Sequence, residues 1–210
     1  GYYLSGTLIV LYAIVPFFVA FEGRRPTARE IAVVAVLTAL AVAARAAFVW
    51  VPHFKPMAAI IMIAGIAAGP QTGFLVGSVA ALASNFIFGQ GPWTPWQMLA
   101  FGLVGLVAGL LADARVFPRA NLSWPRRVAL AVTGFVLIVG LAGPILDTST
   151  FFYLSTAPTS ELAATVYLAG LPVNAIHGAA TALTLLVVAN PLLDQLARVR
   201  VKYGLLNRSR

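Results

Sequence analysis

The sequence predicts an all-α integral membrane protein of seven spans, and three observations predict it. The chain of 210 residues is 60% hydrophobic and only 10% charged, with a mean hydropathy of +0.92. A soluble domain carries about 25% charged and about 45–50% apolar residues, and a globule of this size in water has no means of covering so much apolar surface. The apolar residues fall into runs close to the roughly 20 that one membrane helix needs. The basic residues then segregate to alternate loops.

The first run is Tyr2 to Phe21. It lacks the basic leader and small-residue cleavage site of a signal peptide, so it is expected to be a retained helix. Ile31 to Val51 follows, interrupted by one charge, Arg45. Pro52 and Pro56 break the chain, because proline removes a donor and disfavours helix at the residue before it. Met57 to Gly69 is apolar but short, and Gly69-Pro70-Gln71-Thr72 is a turn signal. Gly73 to Phe88, Trp96 to Ala112, Val128 to Leu146 and Ala164 to Ala189 complete the set, with the loop Gly89–Pro95 between the fourth and fifth spans.

With seven spans, one side receives Arg24, Arg25, Arg29, Arg115, Arg119, Arg126, Arg127, Arg198, Arg200, Lys202, Arg208 and Arg210, twelve of the 14 basic residues. The positive-inside rule makes that side cytoplasmic, with the N-terminus outside and the C-terminus inside. Adding or deleting one span would scramble this bias, so the bias supports the count. It also accounts for the net charge of +8 and the pI of about 10.6 without nucleic acid.

Several chemistries have no carrier in this sequence. There is no phosphate-binding G-x-x-x-x-G-K-[ST] loop, no H-E-x-x-H zinc motif and no G-x-S-x-G elbow. No cysteine is present, which excludes disulfides, thiolate metal sites and cysteine nucleophiles. Glu22, Glu30, Asp113, Asp147, Glu161 and Asp194 all fall at expected span ends or in loops, so no intramembrane carboxylate is expected to couple ion flow. Two histidines in different segments make no metal site. No catalytic residue, metal or cofactor is assigned; passive binding, or transport powered by another subunit, fits better than a self-powered pump or a membrane enzyme.

Five features carry candidate function, each with a plainer reading beside it. Ala35, Ala39, Ala43 and Ala47 recur every four residues along one helix face. Such a face permits close helix approach in lipid, either within this chain or to a separate membrane protein. Phe88-Gly89-Gln90-Gly91-Pro92-Trp93-Thr94-Pro95-Trp96-Gln97 places polar groups among indoles. That composition suits a small-molecule pocket, while the tryptophans alone also suit an interfacial belt. Arg45, with His53 and Lys55 just beyond it, either snorkels to outer headgroups or meets an anion or carbonyl in an outward-facing cavity. Asn85 reads best as an interhelical hydrogen-bonding residue, and Asn174 and His177, three apart, share a helix face. The stretch Asp147 to Ser160, rich in Ser, Thr, Phe and Tyr, reads as an outer loop long enough to lid a pocket.

These residues resemble a known family. The chain is similar to the substrate-binding S components of energy-coupling factor (ECF) vitamin transporters. The residues carrying the likeness are Ala35-Val36-Leu37-Thr38-Ala39, Lys55-Pro56-Met57 with Gly69-Pro70-Gln71-Thr72-Gly73, and Ser84-Asn85-Phe86 leading into the glycine–tryptophan loop. That loop and the ending Asn174-Ala175-Ile176-His177 look most like the cobalamin-type members. The likeness covers roughly residues 28–195. It implies a six-helix substrate-binding core there, preceded by an additional N-terminal helix over 1–22 and followed by a basic cytoplasmic tail over 196–210.

The resemblance implies a multi-pass protein of a prokaryotic cell membrane that binds a vitamin from outside. Its implied partners are a membrane coupling subunit, two cytoplasmic ATPases and the lipid bilayer, with docking through Ala35, Ala39 and Ala43. The ligand is expected near the outer helix ends, under loops around His53, Gln90 and Thr148. For a corrinoid, Trp93, Trp96 and Phe86 would contact the ring and Gln90, Asn85 and Gln97 its amides, with Arg45, Lys55, Asn174 and His177 completing the candidate site. The alternatives are another vitamin such as riboflavin, a membrane enzyme acting on a lipid-linked substrate held by Arg115, Arg119, Arg126 and Arg127, and an assembly subunit with no ligand.

Overall fold

The computed structural model describes residues 2–23, 26–154 and 158–203, all helix and short connections. Arg24, Arg25, Arg208 and Arg210, counted above with the basic side, lie outside the described residues. The elements are α1 (Tyr2–Gly23), α2 (Ala28–Ala47), α3 (Met57–Ala68), α4 (Pro70–Phe88), α5 (Thr94–Asp113), α6 (Trp124–Leu137), α7 (Gly143–Leu154) and α8 (Ser160–Tyr203). A π-helical turn, Ile138–Ala142, joins α6 to α7, so Trp124–Leu154 runs as one helix. Among the described residues six helices are long and apolar enough to cross a membrane, and α3 is a shorter apolar helix.

The ends of these helices follow local chemistry. Thr27 caps α2 in a capping box: the Glu30 amide donates to Thr27 Oγ1 at 3.3 Å and the Thr27 amide donates to Glu30 Oε2 at 2.8 Å. Proline occupies the first turns of α4, α5 and α6, where its missing N–H costs nothing. Gly69, at φ 100°, makes the sharp reversal between α3 and α4 that only glycine adopts freely.

The centre of the molecule is α3. At 12 residues it is about 18 Å long, too short for a membrane core of about 30 Å, and nearly every side chain on it is buried. It is packed among α2, α4, α5 and α8 rather than facing lipid. A glycine seam lets α3, α4 and α5 approach so closely. A Cβ on Gly65 or Gly73 would strike the Gly105 carbonyl, one on Gly77 the Phe101 carbonyl, and one on Gly109 Pro70. The fourfold recurrence of Gly65, Gly69, Gly73 and Gly77 therefore serves a turn and close packing.

Helix α1 lies against α4, α5 and α7. Phe17 stacks on Phe74 with ring centroids 3.8 Å apart, and Trp96 Nε1 donates to Thr7 Oγ1 at 3.4 Å. This leaves α2 with one free face. Leu37, Thr38, Ala41 and Arg45 point inward, whereas Ala35, Ala39, Ala43 and Ala47 are all exposed.

Two expectations are corrected here. Asp147–Leu154, expected as the start of an outer loop, is helix. Its hydroxyl residues satisfy themselves within the helix, Thr148 donating to the Pro144 carbonyl at 2.7 Å and Thr150 to the Leu146 carbonyl at 3.2 Å, so a Ser/Thr-rich composition does not end it. Asp147 is consequently a carboxylate within a long helix, not at a loop end. The last span also exceeds its expected limits. At 44 residues α8 is about 66 Å long, and it passes through Pro172 and Pro191 without ending.

Candidate functional site

One end of the bundle holds a cavity of about 210 Å³. Its wall is built from the C-terminal turn of α2, the α2–α3 loop, and facing segments of α3, α5, α7 and α8. Arg45, His53, Lys55, Gln97, Asp147, Thr150, Asn174 and His177 supply its polar groups, and Met57, Phe101, Leu146 and Val173 its apolar surface. The basic loops and the C-terminal part of α8 lie at the other end. There Asn121 and Leu122, after α5, are tied to α8 by the Asp194 and Asn190 side chains.

A hydrogen-bonded network fixes the cavity's α2 side. Arg45 Nη1 donates to Ser84 Oγ and to Asn85 Oδ1, the latter at 3.0 Å, and the guanidinium sits 4.6 Å over the Phe88 ring. Asn85 uses both remaining donors, on Thr94 Oγ1 at 2.9 Å and on Gln97 Oε1 at 2.7 Å. Thr94 in turn donates to Gln90 Oε1 at 2.8 Å, and Gln90 Nε2 donates to the Leu82 carbonyl at 3.0 Å. Asn85 thus ties α2, α4 and α5 together with every polar atom occupied, as a buried amide requires. Arg45, only 7% exposed, is turned into the bundle and does not snorkel outward.

The opposite side rests on two glycine niches. Asn174 Nδ2 donates to Asp147 Oδ2 at 2.9 Å. A Cβ on Gly143 would overlap the Asn174 amide and one on Gly170 the Asp147 carboxylate, so these glycines create the room in which the pair meets. His177, one turn beyond Asn174, lines the cavity from α8, and its Nε2 is buried without a hydrogen-bond partner. The α2–α3 loop carries His53 at φ 60°, a left-handed turn that brings the chain back toward Lys55 and Pro56. Burial, and then the charge of Arg45, push the Lys55 ammonium below its usual range.

The structure brings six of the expected residues, Arg45, His53, Lys55, Gln97, Asn174 and His177, to this one cavity. Asn85 and Gln90 stand behind them in the network. Phe86, Trp93, Trp96 and Thr148 lie elsewhere. Phe86 is 77% exposed on the outer side of α4, and Trp93 is 41% exposed beside Gly91. Trp96 packs against α1 and Phe152, and Thr148 bonds Tyr167 at 2.7 Å. Asp147 and Thr150, expected only in a stretch that could lid the pocket, line its wall from α7, and Met57, Phe101, Leu146 and Val173 were not expected in the site.

Two of the four arginines considered for a lipid phosphate have partners in the fold. Arg119 is ion-paired with Asp113, and Arg127 donates to the Leu186 carbonyl and lies 5.4 Å over the Trp124 ring.

Comparison with known proteins identifies the family. A family model described as "ECF-type riboflavin transporter, S component" matches residues 26–198, which takes in α2 to the greater part of α8 and leaves α1 outside. A UPF0397 protein of Vibrio atlanticus is 30% identical over 109 residues, 51% of this chain and 56% of the relative, so the chain spans little more than half of that protein. UPF0397 proteins of Lactococcus lactis subsp. cremoris and Clostridium perfringens are 29% and 26% identical over 154 and 155 residues, each 71% of this chain and respectively 77% and 76% of the relative. No solved structure matches the chain. With the whole helical core from α2 onward inside the match, the chain belongs to the family of ECF-type transporter S components, multi-pass membrane subunits of a bacterial transporter.

Proposed function

We propose that this chain is the substrate-capture subunit of an ECF transporter, taking a polar vitamin no larger than riboflavin from outside the cell and passing it to an ATPase-driven coupling module. The observation that carries this reading is the cavity: one enclosed end of the bundle gathers two cations, an acid–amide pair and a glutamine around an apolar floor. Few convergent polar groups on an apolar wall are what a small-molecule site requires. Its position opposite the basic loops supports an outward-facing site by the positive-inside rule, in the orientation that has the N-terminus outside and the C-terminus cytoplasmic.

Size argues for the smaller ligand. Pockets for drug-sized molecules run to about 300–1,000 Å³, and this one is about 210 Å³. Riboflavin, which the family model's description names, is close to that scale. A corrin ring with its amide arms is several times larger, and Phe86, Trp93 and Trp96, expected to hold it, are not on the cavity. The cobalamin-type reading is therefore the less supported of the two.

The exposed alanine face of α2 suits docking on the membrane coupling subunit through Ala35, Ala39 and Ala43, driven by two cytoplasmic ATPases. Helix α1 packs on α4, α5 and α7 and leaves that face open.

The test is calorimetric titration of the purified chain with riboflavin and with cobalamin, together with mass analysis of any copurifying molecule. Saturable one-to-one binding of riboflavin or of a smaller vitamin is expected. Binding of cobalamin alone overturns the size argument, and absence of any vitamin in both measurements overturns the capture reading. For docking, Ala39→Trp is expected to abolish coupled uptake and leave ligand binding intact; uptake at the unmodified rate refutes it.

A further inference from the structure

Resting on the reading of the cavity as the vitamin site, we propose that the captured ligand carries an anionic group, a carboxylate or a phosphate, which seats between Arg45 and Lys55. Arg45 is a buried cation whose partners are all neutral: Ser84, Asn85 and the Phe88 ring. Its Nε has no partner and is fully enclosed. Among the described residues neither Arg45 nor Lys55 forms an ion pair. A buried guanidinium left without a counter-charge is costly, and in a membrane helix such a residue is by default part of a pathway or site.

Lys55 lines the same cavity, close enough for the two charges to act on each other. Two like charges on one wall repel, and an anion between them reverses that repulsion. The cavity's own acid does not fill this place. Asp147 comes from α7, is held by Asn174 and is seated over Gly170. The α2 side of the cavity is left positive, with no counter-charge on it. The neutral amides Gln97 and Asn174 remain to read the rest of the ligand. A guanidinium takes carboxylate and phosphate in the same geometry, so both belong to the proposal.

The test uses matched anionic and neutral probes on the purified full-length chain, read by calorimetry at neutral pH. Nicotinate with nicotinamide, pantothenate with pantothenol, and biotin with biotinamide form the carboxylate arm; pyridoxine 5′-phosphate with pyridoxine forms the phosphate arm. In at least one pair the anion is expected to bind on the order of tenfold more tightly, the strength of one charge-assisted contact. The arm in which this appears identifies the anion. Arg45→Gln is expected to collapse the ratio toward unity, and Lys55→Met to do so without disturbing the buried network. Neutral members binding as well as the anions, or a preference surviving both variants, overturns the proposal and leaves the capture reading standing. Binding by no probe in either arm overturns both.

Discussion

Replacing Asn85 with alanine is the sharpest test of how the site is held. The side chain accepts from Arg45 at 3.0 Å and donates to Thr94 at 2.9 Å and Gln97 at 2.7 Å. Interhelical hydrogen bonds between neutral groups in membrane proteins average about 0.6 kcal/mol, and a bond to a charged group contributes about 1.5–3 kcal/mol. The three losses together cost about 3 kcal/mol on these scales. For a chain of this length each kcal/mol moves Tm by about 2–4 °C, so a fall of roughly 6–12 °C is expected. The assay is thermal unfolding of the detergent-purified protein, followed by loss of monodispersity or by tryptophan fluorescence. Asn85→Asp is the informative companion. It keeps an acceptor for Arg45 and adds a counter-charge, so it is expected to lose less than the alanine variant. A fall below about 2 °C in Asn85→Ala would refute the network as a structural tie. A larger fall in Asn85→Asp than in Asn85→Ala would refute the assignment of Arg45 as its charged partner.

The other predictions concern packing, orientation and charge. Gly105→Leu drives a side chain into the Gly73 carbonyl, where overpacking costs about 1–3 kcal/mol or more, and is expected to lower expression and Tm; a wild-type melting curve would contradict the close approach of α4 and α5. On the cysteine-free background, a cysteine at His53 is expected to label from outside intact cells and one at Ser123 only after permeabilisation; the reverse pattern inverts the topology. Because the folded pKa of Lys55 lies below its unfolded value, the unfolded chain binds more protons between the two, so stability is expected to rise with pH through the alkaline range up to the ordinary lysine value. Lys55→Met removes that part of the rise, and an unchanged slope of Tm against pH would contradict the burial of the ammonium.

Partition between lipid and water acts residue by residue, and for that reason the sequence by itself determined the membrane class and the positions of the apolar helices, and set the expectation for sidedness. Composition, run length and loop charge report it directly. Local chemistry was legible too: Thr27 with Glu30 marks a helix start, and Gly69-Pro70 marks a reversal. Gln97, Asn174 and His177 were expected in a site and do line one cavity, because polar side chains inside spans must find partners.

What only the tertiary structure decided is the direction in which each helix faces. In water an amphipathic stripe announces the buried side of a helix. In lipid both sides are apolar, so Trp96 turning to α1 and Phe86 turning outward leave no trace in the pattern. Asp147 was hidden for a related reason, since its neighbours' hydroxyls bond back within the helix and imitate a loop composition. Its place beside Asn174 depends on Gly143 and Gly170 being brought opposite by the packing of α7 on α8. The exposure of the alanine face on α2 was likewise undecidable from spacing alone. It follows from α1 choosing α4, α5 and α7 as its neighbours, where Phe17 finds a large apolar partner in Phe74 that the small residues of α2 do not offer.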